Sequence, residues 1–273
     1  MAFVEMTFDN GLAILTLMDS SKGNRLNGKR LEEIFEAFAQ AEQTKDASAI
    51  LLRSNGKTFC IGMDLDSLVE EDSDLSSRKH AVSLYHRLLL SFWRSPLPVV
   101  CCVQGEVKAG GVGLVAASDI AIASSEAAFE LSEVLFGLIP ANVLPFLALR
   151  LSLQKAKYMA LTARKLTAEE AKNLNLVDEV YPPDSLEKNL RSVVKRLFRA
   201  SPRALKELKD YTSKMASLAL KNVGSDAQDR LIRLIQDPGT IRGIKALQEG
   251  GLPAWFSRSR PEKPLLWGEN NER

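Results

Sequence analysis

The 273-residue chain predicts an α/β fold that ends in a helical region. Three observations predict it. Apolar runs of strand character alternate with helix-period runs over roughly the first 180 residues. An early pair of alternating runs turns at Asn10-Gly11, a dipeptide that favours a tight hairpin. From about Ser185 onward only helical periodicity remains, broken near Ser201-Pro202 and Asp237-Pro238.

Taken in order, "FVEMTFDN" and "GLAILTLM" form the hairpin. "LNGKRLEEIFEAFAQAEQ" carries Leu31, Ile34, Phe35 and Phe38 at helical spacing, and "AILLRSNG" is a strand ending at Gly56. "FCIGMDLDSL" is a turn leading into a helix. "DSDLSSRKHAVSLYHRLLLSFWRSP" is a polar loop and then an amphipathic helix stopped by Pro96. "LPVVCCVQG" and "DIAIAS" are buried strands. "LSLQKAKYMALTARKLTAEEAKNLNLVDEVYP" holds two helices and a short strand, with Thr167 and Glu170 matching a capping box. The tail "SRSRPEKPLLWGENNER" is expected to be poorly ordered.

Bulk composition narrows the function classes. Apolar residues make up 45% of the chain, enough for a sizeable core, while the net charge is only +2. Basic residues form no dominant block, which argues against a nucleic-acid partner. No apolar run reaches the ~20 residues of a membrane span, and no signal-peptide pattern opens the chain. A cytoplasmic protein is expected. The three cysteines (Cys60, Cys101 and Cys102) and two histidines (His80 and His86) suggest buried thiols, not a disulfide framework or a metal site.

The stretch "KAGGVGLVAASDIAIA", Lys108 to Ala123, holds the glycines that decide the chemistry. A P-loop fails, because Gly105-x4-Gly110 is followed by Gly111-Val112 instead of Lys-Ser/Thr. "GVGLVA" matches a dinucleotide pattern formally, and Glu126 follows the next strand. Only about seven residues separate Gly111 from that strand, too few for the usual crossover helix. A purely structural reading is that Gly110, Gly111 and Gly113 let a helix pack closely on a strand. Against it stands a second turn of the same kind, "FCIGMDL". Helix starts carry N–H groups without internal partners, so two converging turns would make an oxyanion hole for a thioester enolate.

"FCIGMDL", "QGEVKAGGVGLVAASDIAIA" and "FELSEVLFGLIP" resemble, in order and spacing, the three core motifs of the crotonase (enoyl-CoA hydratase/isomerase) superfamily. The resemblance covers roughly residues 3 to 190, with a weaker helical echo to about 256. Within it, "SEVLFGLIPANVLPF" looks most like the dehydratases of polyketide β-branching. Those convert 3-hydroxy-3-methylglutaryl to 3-methylglutaconyl on an acyl carrier protein. The resemblance implies a ββα spiral core over residues 1–195, a helical trimerisation region over 196–256 and a tail over 257–273. It implies a homotrimer or hexamer and no metal or redox cofactor beyond the thioester's own phosphopantetheine or coenzyme A.

Carried over by position, the N–H groups of Met63 and Gly110 would form the oxyanion hole. The second glutamate of ordinary hydratases matches Glu133, and the first falls on Gly113, so that acid is absent. One carboxylate could take the α-proton and then protonate the leaving hydroxyl. Leu131, Val134, Leu135 and Phe136 would supply apolar surroundings that raise its pKa. Candidate substrate contacts are Ile61, Tyr85, Lys108, Gly111 and Asn142. For a distal substrate carboxylate Lys108 is preferred over Arg78, Lys79, His80 and Arg87, and His86 is a possible hydrogen-bond donor. Asn142 would face the β-hydroxyl or stabilise its turn.

Two departures bear on the acyl carrier. Many crotonases place a Lys where this chain has Asp66, and a basic cluster where it has "LQEGGLPAWF". Losing both cations weakens a nucleotide ligand more than a carrier protein. Lys22 and Arg25, with Lys29 or Arg30, would meet an acidic carrier. Three rivals remain: the methylglutaconyl decarboxylase of the same pathways, an ordinary enoyl-CoA hydratase/isomerase, and a non-catalytic RNA- or partner-binding crotonase-like protein.

Overall fold

The computed structural model describes residues 2–66, 75–220 and 223–257. Strands β1 (Val4–Asp9) and β2 (Leu12–Leu17) form the expected antiparallel hairpin. Asn10 and Gly11, with φ of 45° and 91°, supply the two left-handed residues that a tight hairpin turn requires. Beyond the hairpin the chain winds as a spiral of strand, short strand and helix. Strands β3 (Ala49–Ser54), β5 (Val99–Val103) and β7 (Ile120–Ser124) join one sheet in parallel, completed by β10 (Glu179–Tyr181) in the order β1-β2-β3-β5-β7-β10. The short strands β4 (Thr58–Cys60), β6 (Glu106–Lys108), β8 (Ala128–Glu130) and β9 (Leu166–Thr167) form a second sheet. This is the α/β ββα architecture that the resemblance implies.

The second sheet is where local pattern reading fell short. Strands of two or three residues carry no measurable alternation, so only the neighbouring turns of the spiral define them. The helix expected directly after Asp66, and the polar segment before Leu75, lie outside the described residues, as do residues 258–273 of the tail.

Helices α1 (Gly28–Gln43) and α2 (Leu75–Arg94) cover one face of the large sheet. Leu31, Ile34 and Phe38 of α1 are buried, and Phe38 stacks on Phe92 of α2 with ring centroids 4.5 Å apart. Alternate strand residues point the other way. Leu51, Val100, Cys102 and Ile122 pack against Leu186, Leu190 and Val193 of α7 (Pro183–Leu197). Cys101 and Cys102 thus serve opposite faces of one strand, and all three cysteines are free and buried. Burial pushes the Cys60 and Cys102 thiols up to about 12. Helices α3 (Gly110–Ala117), α4 (Leu144–Arg150), α5 (Leu153–Thr162) and α6 (Ala168–Asn173) complete the core. Thr167 and Glu170 close the expected capping box at α6.

The C-terminal helices α8 (Pro202–Leu220), α9 (Val223–Gln236) and α10 (Pro238–Gln248) return onto the core. Asp237 caps α10, at the expected break. Lys209 of α8 is buried. Its ammonium donates to the carbonyls of Phe92 and Leu97 and pairs with Asp119 at the edge of β7. Gly224 of α9 lies so close to His86 that a Cβ there would stand 2.5 Å from the ring. No helix among the described residues is long and apolar enough to cross a membrane.

Candidate active site

The two glycine turns converge. Residues 61–64 hydrogen-bond to the segment 23–26: Ile61 N–H to Gly23 O, Leu26 N–H to Gly62 O, and Asp64 N–H to Leu26 O. Asn24 anchors that segment by donating to the carbonyls of Thr58 and Phe59. The pairing skips the N–H of Met63, which takes no backbone partner among the described residues. Gly110 opens α3, where an N–H has no intrahelical acceptor. A Cβ on Gly62 (φ 86°) would stand 2.7 Å from the Ala109 Cβ and 2.9 Å from the Gly110 nitrogen. Only glycine lets the turns approach this closely. Ala109 itself holds φ 47° and ψ −120°, a conformation that side chains avoid and that stores about 1–3 kcal/mol of strain.

The paired turns floor a cavity of about 620 Å³. Glu133 faces it from the first position of a 3-10 turn, Glu133–Phe136. The residue is half-buried, yet its Oε2 is out of contact with solvent and has no hydrogen-bond partner. Burial, opposed by a hydrogen bond from its own backbone and reinforced by the nearby Glu130 charge, raises its carboxyl to about 8. Of the apolar neighbours expected from sequence, only Phe136 lines the cavity. The rest of the apolar wall comes from Leu138 and Ile139 and, across the chain, from Leu231 and Ile235 of α9 and Leu247 of α10. The helical C-terminal region therefore closes its own chain's site. Its amphipathic period was visible in the sequence; the surface it would cover was not.

Gly113, where ordinary hydratases carry their first glutamate, has no room for a side chain. A Cβ there would lie 2.1 Å from the Tyr85 hydroxyl. That hydroxyl donates to the carbonyl of Gly110. Asn142 is 3% exposed and lines the same cavity. Its Nδ2 donates to Val82 O at 3.1 Å, while Oδ1 is left without a partner.

Ile61, Met63, Tyr85, Lys108, Gly110, Glu133, Asn142 and Arg25 all border the cavity. One expected substrate contact changes. Gly111 does not line it; a Cβ there would meet the Cys60 carbonyl oxygen at 2.2 Å, so this glycine serves close packing of α3 on β4. Lys22 lines a neighbouring groove with Arg25 and Arg30. Arg25 is held by Asp64 at 3.5 Å and Asp66 at 3.2 Å, and Arg30 pairs with Asp19 at 2.5 Å. Asp66 also accepts from Gln248 of α10 at 2.5 Å, closing the cavity mouth. Lys108 sits 3.7 Å from Glu106 and 3.8 Å from Glu130. Neither Arg78, Lys79, His80, His86 nor Arg87 borders the cavity. His80 meets Glu32, Arg87 lies over Phe35, and His86 packs on Phe146 and Gly224. Among the described residues, no group of three or more His, Cys, Asp or Glu side chains could hold a metal ion.

The enoyl-CoA hydratase/isomerase family model matches residues 7–258. The bacillaene synthase dehydratase PksH of Bacillus subtilis is 30% identical over 255 residues, 92% of this chain and 96% of that protein. A trans-2-decenoyl-[acyl-carrier-protein] isomerase of Streptococcus mutans is 32% identical over 216 residues, 77% of this chain and 82% of that one. The crystal structure of an enoyl-CoA hydratase from Mycobacterium avium superposes with a TM-score of 0.83 at 25% identity, covering 93% of this chain and 99% of that one. The chain belongs to the enoyl-CoA hydratase/isomerase family, the crotonases.

Proposed function

We propose that this enzyme removes water from 3-hydroxy-3-methylglutaryl carried on an acyl carrier protein, giving the 3-methylglutaconyl thioester of polyketide β-branching. One observation carries the reading: Glu133, its Oε2 sealed from solvent, lines one cavity with Met63 and Gly110, and Tyr85 fills the place of a second acid. The 30% identity to PksH supports the pathway.

In the forward direction ionised Glu133 takes the α-proton, and the electron pair moves onto the thioester oxygen held by the two amides. The pair then returns to form the Cα–Cβ double bond as the Cβ–O bond breaks. The proton on Glu133 passes to the leaving hydroxyl, which departs as water and restores the carboxylate. One group acting twice requires acid and base on the same face of the substrate, a syn elimination. Lys108, at the cavity rim between Glu106 and Glu130, is the cation proposed for the distal carboxylate. The exposed Lys22 and Lys29 are the proposed carrier contacts, since Arg25 and Arg30 are engaged by Asp19, Asp64 and Asp66. A homotrimer is proposed through the exposed stripe Leu208, Tyr211 and Met215 of α8, at 56%, 65% and 66% exposure. Analytical ultracentrifugation reads that state directly.

Intact-protein mass spectrometry of a carrier loaded with 3-hydroxy-3-methylglutaryl tests the reaction. Loss of one water, absent with Glu133→Gln, is the expected result. Loss of carbon dioxide from a methylglutaconyl-loaded carrier would assign the decarboxylase instead. A second reading has specific support in the Streptococcus mutans isomerase. A 1,3-proton shift also needs only one acid/base, and migration of the double bond in a trans-2-decenoyl-loaded carrier would establish it.

A further inference from the structure

The second carboxylate of an ordinary hydratase is absent here, yet its place is not empty. Val82 and Tyr85 stand three residues apart on α2 and so share one helix face. From that face the Val82 carbonyl takes the Nδ2 proton of Asn142, and the Tyr85 hydroxyl reaches into the space above Gly113. The Asn142 amide orientation follows from chemistry, because the Val82 carbonyl needs a donor. That leaves Oδ1 as a buried acceptor with no partner, on a residue that borders the cavity. Such an oxygen is destabilising unless a ligand supplies a proton to it. Tyr85 spends its one O–H on the Gly110 carbonyl, so toward a ligand it too offers only lone pairs.

We infer that Asn142 Oδ1 and the Tyr85 hydroxyl oxygen form a neutral acceptor pair that holds the β-hydroxyl of the substrate. This rests on the dehydratase reading above. A β-hydroxyl has one proton to give and lone pairs to receive one. Donating to the acceptor pair turns its lone pairs away from these oxygens and toward Glu133, the group that must protonate it. Neither Tyr85 nor Asn142 acts as the acid. The product enoyl thioester has no hydroxyl and leaves Oδ1 unpartnered again, so the site favours the hydroxylated ligand over the dehydrated one. Tyr85 also bars a side chain at position 113, which keeps the site to one carboxylate.

The test is equilibrium titration of the full-length Glu133→Gln protein, whose turnover is slowed by about 10²–10⁴-fold, with two thioesters. One is 3-hydroxy-3-methylglutaryl-pantetheine, and the other is 3-methylglutaryl-pantetheine, which lacks only the hydroxyl. The expected result is about tenfold tighter binding of the hydroxylated thioester. Adding Asn142→Leu brings the ratio close to one while the deoxy ligand binds within about threefold of its original affinity. A ratio near one before that change, a ratio that survives it, or no binding of either ligand overturns the proposal. Should Asn142→Leu fail to fold for want of its Val82 bond, Tyr85→Phe makes the same comparison. Its ratio is expected to fall at least threefold, and an unchanged ratio is equally fatal. Tyr85→Phe has a second readout: Gly113→Ala should destabilise the native protein and do so far less beside Phe at position 85. Because the titration needs no turnover, a native enzyme that keeps the hydroxyl preference but fails to dehydrate the loaded carrier overturns the reaction and not the acceptor pair.

Discussion

Two carboxylates among the described residues meet their surroundings in opposite ways, Asp119 with its side chain 31% exposed and fully partnered on one oxygen, Glu133 with one oxygen sealed from solvent and unpartnered. Asp119 stands at the edge of β7, where its Oδ2 accepts from the Val99 N–H at 2.7 Å and pairs with the ammonium of Lys209. Glu133 stands at the cavity wall with Oε2 unpartnered and a carboxyl raised to about 8. The first arrangement ties α8 to the sheet and gives the buried ammonium of Lys209 its counter-charge. The second holds a proton that can be given and taken near neutral pH. Supplying a buried charge with partners makes a joint; withholding them makes an acid/base.

Exchanging the two situations gives the largest expected effects. Glu133→Gln removes the proposed acid/base and should lower kcat by about 10²–10⁴-fold, read by single-turnover mass spectrometry. It should at the same time stabilise the protein in alkali. Glu133 ionises near its ordinary 4.5 when unfolded and near 8 when folded. Its contribution to stability is therefore full below about pH 4.5 and lost as pH rises through 8, by up to about 4–5 kcal/mol. The Tm gain of Glu133→Gln over the native enzyme should grow between pH 5 and pH 9. A constant gain across that range contradicts a raised carboxyl.

Lys209→Met breaks the opposite site. It leaves the partly exposed Asp119 and the Phe92 and Leu97 carbonyls short of a donor and should cost about 1–3 kcal/mol in urea unfolding. Asp119→Asn in the same chain should recover much of that loss, since a neutral amide needs no counter-charge. The cavity is untouched by either change, so kcat of the folded fraction should stay within about twofold. A large fall in kcat with Lys209→Met would mean that α8 transmits to the site.

Dehydration should show a pH profile set by Glu133. Because its base form starts the reaction, kcat/KM should rise with pH and level off above about 8, and hydration of the methylglutaconyl thioester should follow the same curve, since that direction also starts from the carboxylate. Smaller still is the effect of a cap far from the site. Thr167→Ala removes the hydroxyl that accepts from the Glu170 N–H at 3.2 Å and should cost about 1 kcal/mol with no change in kcat.

Much of this molecule was legible along the chain, and the limit falls at identifiable places. Asn10-Gly11, the Thr167 capping box and the break at Asp237-Pro238 are each decided within four residues, so local chemistry was enough. The strands β4, β6, β8 and β9 were missed because two or three residues of pairing leave no period to read. Glu133, Met63 and Gly110, singled out by their motifs, line one cavity. The absence of an acid at Gly113 was also plain, but the Tyr85 hydroxyl that occupies its place, twenty-eight residues away along the chain, carried no local mark. Lys22 and Arg25 show the converse. Both read as available cations, and folding brought Asp64 and Asp66 to Arg25 alone.

The sequence by itself determined the α/β class, the helical end, the two glycine turns and the single carboxylate. Those features depend on the order of apolar residues, on backbone freedom at glycine and on which functional groups the chain contains. Only the tertiary structure decided that the turns meet, that α9 and α10 roof their own cavity, and that Glu133 has lost its partners while Asp119 has kept them. Desolvation and hydrogen bonding depend on what packs around a group in three dimensions. Gly62 meets Gly110, Asn142 meets Val82 and Lys209 meets Asp119 only after the spiral has closed.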